Sequence, residues 1–386
     1  MDKALTPARP GPRYAVAGSG AIASTGRNAP ELYEALCAAR SGLAPLRGFD
    51  ADRFRARHAY EIDDRPGRDV PGRATAWLLE AIAEALASAG LGEDLSEIPV
   101  FVGTGLRELR SAELWWTEGA PFPARRLHFG PALAERFGAV ETYTVNNACS
   151  ASLYALALAA DRLATGEQDV VVAAGVDSIT ASMFGLLDRV HAEPVDRVRP
   201  FDRNRRGVLM GDGAAAVVLR RTAERPLAWL RSVAVNCDAF HVTAPDGAGV
   251  AAAIERAHGL AGLDPAQIDL VFAHGTGTLL NDEVEAGALT KVFDVSTGQG
   301  PLVTAIKSMT GHTSGGSGLM SLVVAVETLR HGRIPPTVGL EEPVPDAEGL
   351  RFVTGEALRS DVRRVQVDAF GFGGVNAVAV LEKAGL

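Results

Sequence analysis

Short, unbroken apolar runs closed by glycine or a polar turn recur along the whole chain, and they narrow the fold more than any other feature. In the first half they are residues 14–20, 99–105, 142–145, 169–175 and 213–219. In the second they are 229–236, 269–275, 302–307, 364–371 and 376–381. A strand with one wet face alternates apolar and polar residues; a strand covered on both faces stays apolar throughout. Between these runs, helical spacing marks 30–41, 74–89 (stopped by Gly90), 149–164 (stopped by Gly166) and 316–331. Buried strands alternating with helices predict an α/β protein whose sheets carry helices on both faces.

The order of elements repeats. In the first half a strand leads into Asn-Ala-Cys-Ser-Ala-Ser, then a helix, then a strand closing on Ala-Ala-Gly. In the second, a strand leads into Lys-Ser-Met-Thr-Gly-His, a glycine-rich turn, a helix, and a strand closing on Phe-Gly-Phe-Gly. A length of 386 residues fits two domains or one unit built twice. The expected division is a loose, proline-containing tail over 1–13, a first α/β half over 14–222 and a second over 223–386.

Composition excludes several classes. The formal charge is −9 and no Lys/Arg-rich block is present, which argues against a nucleic-acid partner. Cys37, Cys149 and Cys237 make no disulfide framework and no paired zinc spacing, so a reducing, cytoplasmic setting is expected. No apolar stretch reaches the roughly 20 residues that span a bilayer, and no signal-peptide pattern opens the chain, so no membrane association is expected.

The chemistry-bearing residues stand where strands end. Cys149 lies at a strand-to-helix junction, where the helix dipole lowers a thiol pKa; alone, a cysteine in an alanine-rich helix is more often a small packing residue. His274 opens His274-Gly-Thr-Gly-Thr278, and His312 lies in a glycine-rich turn after Lys307. Each histidine alone reads as a satisfied structural residue. Lys307 directly follows an apolar strand, which predicts a carboxylate partner, with Glu285 the candidate. Asp282 and Glu285 could join the histidines as metal ligands, yet no His-x-x-x-His or Cys-x-x-Cys pattern appears, so no metal is expected. The glycine runs lack both the P-loop ending and the Rossmann spacing, which argues against a nucleotide.

Taken together, Ala-Cys149-Ser, His274-Gly-Thr-Gly-Thr278, Lys307-Ser-Met-Thr-Gly-His312 and Gly371-Phe-Gly-Gly-Val-Asn376 occur in the order that resembles the β-ketoacyl synthases, in particular ketoacyl-ACP synthase II and polyketide ketosynthases. Arg199-Pro-Phe-Asp and Gly211-Asp-Gly-Ala add to the resemblance, which runs from about residue 14 to 382. It implies the thiolase fold: two duplicated α/β halves in a five-layered αβαβα arrangement. It also implies an acyltransferase in which Cys149 accepts an acyl group from a carrier protein, and His274 and His312 serve decarboxylative condensation with a malonyl-type extender. Lys307 and Glu285 match a buried pair that orients the histidines. Phe372 matches an oxyanion and gating residue, with Phe370 beside it, and Thr276 and Thr278 match the threonines that hold the phosphopantetheine arm.

By the same resemblance the partners are an acyl carrier protein and a second ketosynthase-like subunit, identical or related, with no cofactor of the chain's own. Because both this chain and carrier proteins are acidic, docking calls for a local basic patch; Arg125, Arg126, Arg205 and Arg206 are the candidates. Three departures stand out: Asn146-Asn147 before Ala-Cys, Val375 after the glycine pair, and a shortened segment over 105–144. Two other readings remain: an acyltransferase that passes the Cys-bound acyl group on without decarboxylation, and a non-catalytic partner subunit, against which Cys149 itself argues.

Overall fold

The computed structural model describes residues 11–65, 69–295 and 300–386; the first ten residues of the expected tail lie outside the described residues. We number the strands of its large sheet β1 (Tyr14–Ala23), β2 (Val100–Gly103), β3 (Thr142–Val145), β4 (Val170–Asp177), β5 (Gly213–Arg220), β6 (Ala228–Cys237), β7 (Leu270–Phe272), β8 (Leu302–Thr304), β9 (Arg351–Phe352), β10 (Arg364–Gly371) and β11 (Val375–Lys383). Five helices position the site: α1 (Arg73–Ser88), α2 (Ala151–Ala164), α3 (Gly247–Ala261), α4 (Leu279–Val292) and α5 (Ser317–His331).

The strand order is β9-β8-β7-β10-β11-β6-β1-β5-β4-β2-β3. From its centre the sheet reads the same in both directions for five strands, and β9 adds a sixth beside β8 on one edge. On one side β1 pairs antiparallel with β5 and β5 with β4, then β4, β2 and β3 run parallel. On the other, β6 pairs antiparallel with β11 and β11 with β10, then β10, β7 and β8 run parallel. Within the sheet the two sides join where Tyr14–Val16 of β1 faces Leu230–Ala228 of β6. The repeated unit seen in the sequence takes equivalent places: β3–α2–β4 on one side, β8–α5–β10 on the other.

Strand periodicity then divides the apolar runs among three cores. Along β4, Val171 and Ala173 enter the middle core while Val172, Ala174 and Val176 face the outer one beneath α1. Along β11, Ala377, Ala379 and Leu381 face the middle, and Val378 and Val380 face the outer core beneath α3 and α4. Each strand is apolar throughout because each face meets a different helix layer. The layers are α1, the first set of strands, α2 with α5, the second set, and α3 with α4. This is the five-layered thiolase fold. Central α5 is buried from Ser317 through Leu329 and surfaces only at Arg330 and His331, as expected of a helix apolar on all sides.

Helices α3 and α4 escape a reading by periodicity. Alanine and glycine fill much of α3, and α4 buries the polar Asp282 and Glu285 along with its apolar residues. Among the described residues, no helix is long and apolar enough to cross a membrane.

Candidate active site

The parallel strands of both halves end at one cleft of about 860 Å³, lined by Cys149, His274, His312, Thr276, Phe370 and Phe372 among others. Cys149 and His274 stand just past strand ends, the place where open α/β sheets expose their side chains, and His312 follows the short helix Lys307–Thr310 beyond β8. Beyond β3, Ala148 takes φ 57°, a left-handed backbone that alanine rarely adopts. That sharp turn starts a short 3-10 segment, Ala148–Ser150, which presents Cys149 before α2 begins at Ala151. Gly371 lets the last turn of β10 come close: a Cβ there would stand 3.1 Å from the Cys149 nitrogen.

His312 is held through its backbone. Its N–H donates to the Leu209 carbonyl at 2.9 Å, and its carbonyl accepts from the Gly211 N–H at 3.0 Å. The ring Nε2 then lies 3.0 Å from Cys149 Sγ. His274 crosses the His312 ring edge-on, with centroids 5.4 Å apart, and meets Phe370 at 5.9 Å. Its N–H donates to Glu285 Oε1 at 2.6 Å. Lys307 Nζ donates to the His274 carbonyl at 2.5 Å and lies 3.3 Å from its Nδ1. An ammonium has only protons to offer, so Nδ1 accepts and the ring proton sits on Nε2.

The expected Lys307–Glu285 pair therefore takes a different form. Among the described residues the two make no direct ion pair; each grips His274 by its own contacts, Glu285 also accepting from the Gly275 N–H at 2.8 Å. Burial pushes the Lys307 ammonium down to about 8, against the pull of Glu285, and pushes Glu285 up to about 7. Burial, then Lys307, hold both His274 and His312 well below the usual imidazole range, so both rings are neutral at pH 7.

The thiol corrects a second expectation. Burial pushes Cys149 up to about 11, outweighing Lys307 and the backbone N–H groups of Phe372 and of Cys149 itself, which pull the other way. Cys149 sits in the 3-10 turn ahead of α2 rather than in its first regular turn, and desolvation wins over the dipole. The resting nucleophile is a thiol beside a neutral imidazole, and the two N–H groups that act on its sulfur are a ready-made cradle for an oxyanion.

Thr276 and Thr278 line the cleft with hydroxyl oxygens 2.9 Å apart. Asp282 shapes their turn by accepting from the N–H groups of Thr276 at 3.1 Å and Gly277 at 3.1 Å. Asp282 and Glu285 are thus occupied by backbone donors, and among the described residues no cluster of three metal-ligating side chains is present. Phe372 is 48% exposed at the mouth, whereas Phe370 is buried against His274.

Among the docking candidates, Arg205 is contradicted. It is buried, and its guanidinium donates to the carbonyls of Thr278 at 3.1 Å, Leu279 at 2.8 Å and Asp202 at 3.2 Å, and to Glu283 at 2.7 Å. It braces the threonine turn from behind. Arg206 is exposed at the cleft and pairs with Glu193 at 3.2 Å. Arg125 is exposed and Arg126 pairs with Glu135 at 2.7 Å; neither lines the cleft.

Asp177 is a site residue that no sequence motif marks. Fully buried at the end of β4, it accepts from Thr104 Oγ1 at 2.6 Å and from the N–H groups of Gly105, Leu106 and Gly315 at 2.6–2.8 Å. It ties the loop after β2 to the glycine-rich turn after His312. An acid closing a wholly apolar strand is the one signal that marked it.

Two family models match well over half of the chain: the N-terminal domain of β-ketoacyl synthase over residues 13–225 and its C-terminal domain over 227–341. The chain is 30% identical to 3-oxoacyl-[acyl-carrier-protein] synthase I, chloroplastic, of Hordeum vulgare, over 96% of this chain and 89% of that one. It is 31% identical to the tetracenomycin polyketide synthase ketoacyl synthase alpha subunit of Streptomyces glaucescens, over 96% and 97%. Among solved structures, the ishigamide ketosynthase/chain length factor matches with a TM-score of 0.88 and 34% identity, over 97% of this chain and 100% of that one.

Proposed function

The chain belongs to the β-ketoacyl synthase family, and from that premise we propose that it is a decarboxylating ketosynthase working on carrier-bound acyl groups. The observation that carries this reading is the contact of 3.0 Å between Cys149 Sγ and His312 Nε2, with His274 beside them. The first half, over 14–222, supplies the nucleophile; the second, over 223–386, supplies both histidines.

In the first stage the Cys149 sulfur attacks the acyl thioester of a carrier protein while His312 Nε2–H donates to that sulfur, and the thiol proton passes to the departing carrier sulfur, leaving an acyl-Cys149 thioester and a free carrier thiol. The tetrahedral oxyanion lies against the N–H groups of Cys149 and Phe372. In the second stage a malonyl-type thioester occupies the cleft, its arm against Thr276 and Thr278. Neutral His274 and His312 donate Nε2–H to the thioester oxygen, CO2 leaves, and the resulting enolate attacks acyl-Cys149. The Cys149 sulfur departs and is reprotonated. Phe372, at the mouth, gates this exchange. No cofactor of the chain's own enters the scheme; the phosphopantetheine arm arrives with the carrier.

The partners are an acyl carrier protein and a second ketosynthase-like subunit, in a cytoplasmic pathway of polyketide or fatty-acid type. The test is incubation with acyl- and malonyl-carrier protein. One acyl adduct on Cys149, CO2 and a ketoacyl product are expected. Adduct and acyl transfer without CO2 would make it a non-decarboxylating acyltransferase, and no adduct at all a partner subunit.

A further inference from the structure

One buried acid at the site has no part in this scheme. Asp368 is 1% exposed. On β10 the residues Val365, Val367 and Ala369 face the middle core, so Gln366, Asp368 and Phe370 share the opposite face. Strand β10 runs parallel to β7, with Val367 against Phe272, and β7 runs parallel to β8, with Phe272 against Thr304. One step further along this register, Asp368 stands beside Ala273, the residue before His274, and in line with Ala305, two residues before Lys307. Phe370, next on the same face, meets the His274 ring.

Behind it runs a line of donors. Gln366 Nε2 donates to the two Asp368 carboxylate oxygens at 2.8 and 3.0 Å, and Gln366 Oε1 lies 2.7 Å from His258 Nε2. His258 Nδ1 is buried and unpartnered. An orphaned N–H is rarer than an orphaned acceptor, so the His258 proton is assigned to Nε2 and donates to Gln366. Both links therefore point toward Asp368.

We propose that Asp368 is a positioning residue of the reaction: with Glu285 it keeps Lys307 an ammonium, and so fixes His274 with its proton on Nε2. The inference rests on the ketosynthase reading above. Were Lys307 a neutral amine, its lone pair could accept from Nδ1–H, and nothing would then hold the His274 proton on Nε2, the donor that faces the substrate. The charged and titratable groups that act on Asp368 are Glu285 from α4 and Lys307 from the turn after β8, with His258 from α3 reaching it through Gln366. Burial, then Glu285, push the Asp368 carboxyl well above its usual range, while Lys307 pulls it down; Asp368 in turn raises Lys307. Each is easier to ionise when the other is charged. As pH rises, Asp368 ionises and prolongs the protonated state of Lys307.

The test uses Asp368→Asn, which keeps the shape and leaves an acceptor for Gln366. CO2 release from malonyl-carrier by the acylated enzyme is followed from about pH 6.5 to 9, with the melting temperature as a control for folding. The alkaline limb should move down by roughly one pH unit, so the mutant-to-wild-type ratio falls roughly tenfold across the range. Gln366→Met, which removes the donor that favours the Asp368 anion, should move the limb the same way by less. In 15N NMR, the His274 Nε2–H tautomer should persist to higher pH in the wild type than in Asp368→Asn. An unmoved limb in both variants, or a rate loss equal at every pH, would overturn the proposal. If the wild type itself releases no CO2, the ketosynthase reading fails, and the tautomer measurement still decides the role of Asp368.

Discussion

Replacing Arg205 by alanine separates a brace from a docking contact. The guanidinium is almost wholly enclosed, 3.9 Å from the Asp282 carboxylate and bonded to three backbone carbonyls and Glu283. Removing one member of a buried charge pair costs about 3–5 kcal/mol. Glu283 is half exposed and regains water, and Asp282 keeps its N–H donors from Phe201, Thr276 and Gly277, so the lower end, about 3 kcal/mol, applies. For a cooperative unit of 386 residues that lowers the melting temperature by roughly 4 °C. The relaxed turn carries Thr276 and Thr278, so KM should rise alike for carrier-bound substrates and for short acyl-pantetheine mimics. Arg206→Glu, exposed and paired only with Glu193, should leave melting within about 0.5 kcal/mol of wild type and raise KM for carrier substrates alone, an effect that salt weakens. If Arg205→Ala melts like wild type and loses only carrier-bound turnover, Arg205 is a docking residue and the reasoning from burial is wrong.

Removing either imidazole by His274→Ala or His312→Ala should cut CO2 release roughly 10²–10³-fold, the worth of one oxyanion donor; release at the wild-type rate would take that histidine out of the mechanism. Both histidines are harder to protonate folded than unfolded, so the stability tied to their neutral forms is complete above about pH 6.5 and declines as pH falls through that value. The acid limb of CO2 release, read by stopped-flow pH jumps, should accordingly lie below about pH 6.5, and a bend at the ordinary imidazole value would count against the neutral pair. Asp177→Ala strands the hydroxyl of Thr104 and the N–H groups of Gly105, Leu106 and Gly315. It should lower unfolding free energy in urea by more than about 3 kcal/mol; a loss under about 1 kcal/mol would mean water replaces the carboxylate.

The strands were legible because burial on both faces writes itself as an apolar run: the run at 142–145 is β3, and that at 213–219 falls one residue short of β5. The order of motifs made Cys149, His274 and His312 legible as a set, since each follows such a run. The helices of the second outer layer were not, because α3 is rich in small residues and α4 turns two acids inward as well as its apolar side chains. The burial of Arg205 is hidden from the sequence for a related reason. A basic residue in a polar stretch reads as surface, and only the fold shows that the Thr278 and Leu279 carbonyls close over it.

What the sequence conceals is the set of contacts made between its two halves. His312 bonds through its backbone to residues 209 and 211, Gly371 makes room for the Cys149 nitrogen, and Asp177 reaches Gly315, 138 positions away. No local pattern encodes such pairs, because each partner is ordinary in its own neighbourhood. Yet the duplicated sheet explains why they exist. Two copies of one α/β unit place their parallel strand ends on one cleft, so an asymmetric site forms with the thiol from one copy and the imidazoles from the other. Residues that fasten one copy to the other then set catalytic geometry as directly as those that touch substrate. A change at Asp177 should therefore act on chemistry through the spacing of groups far from it in the chain.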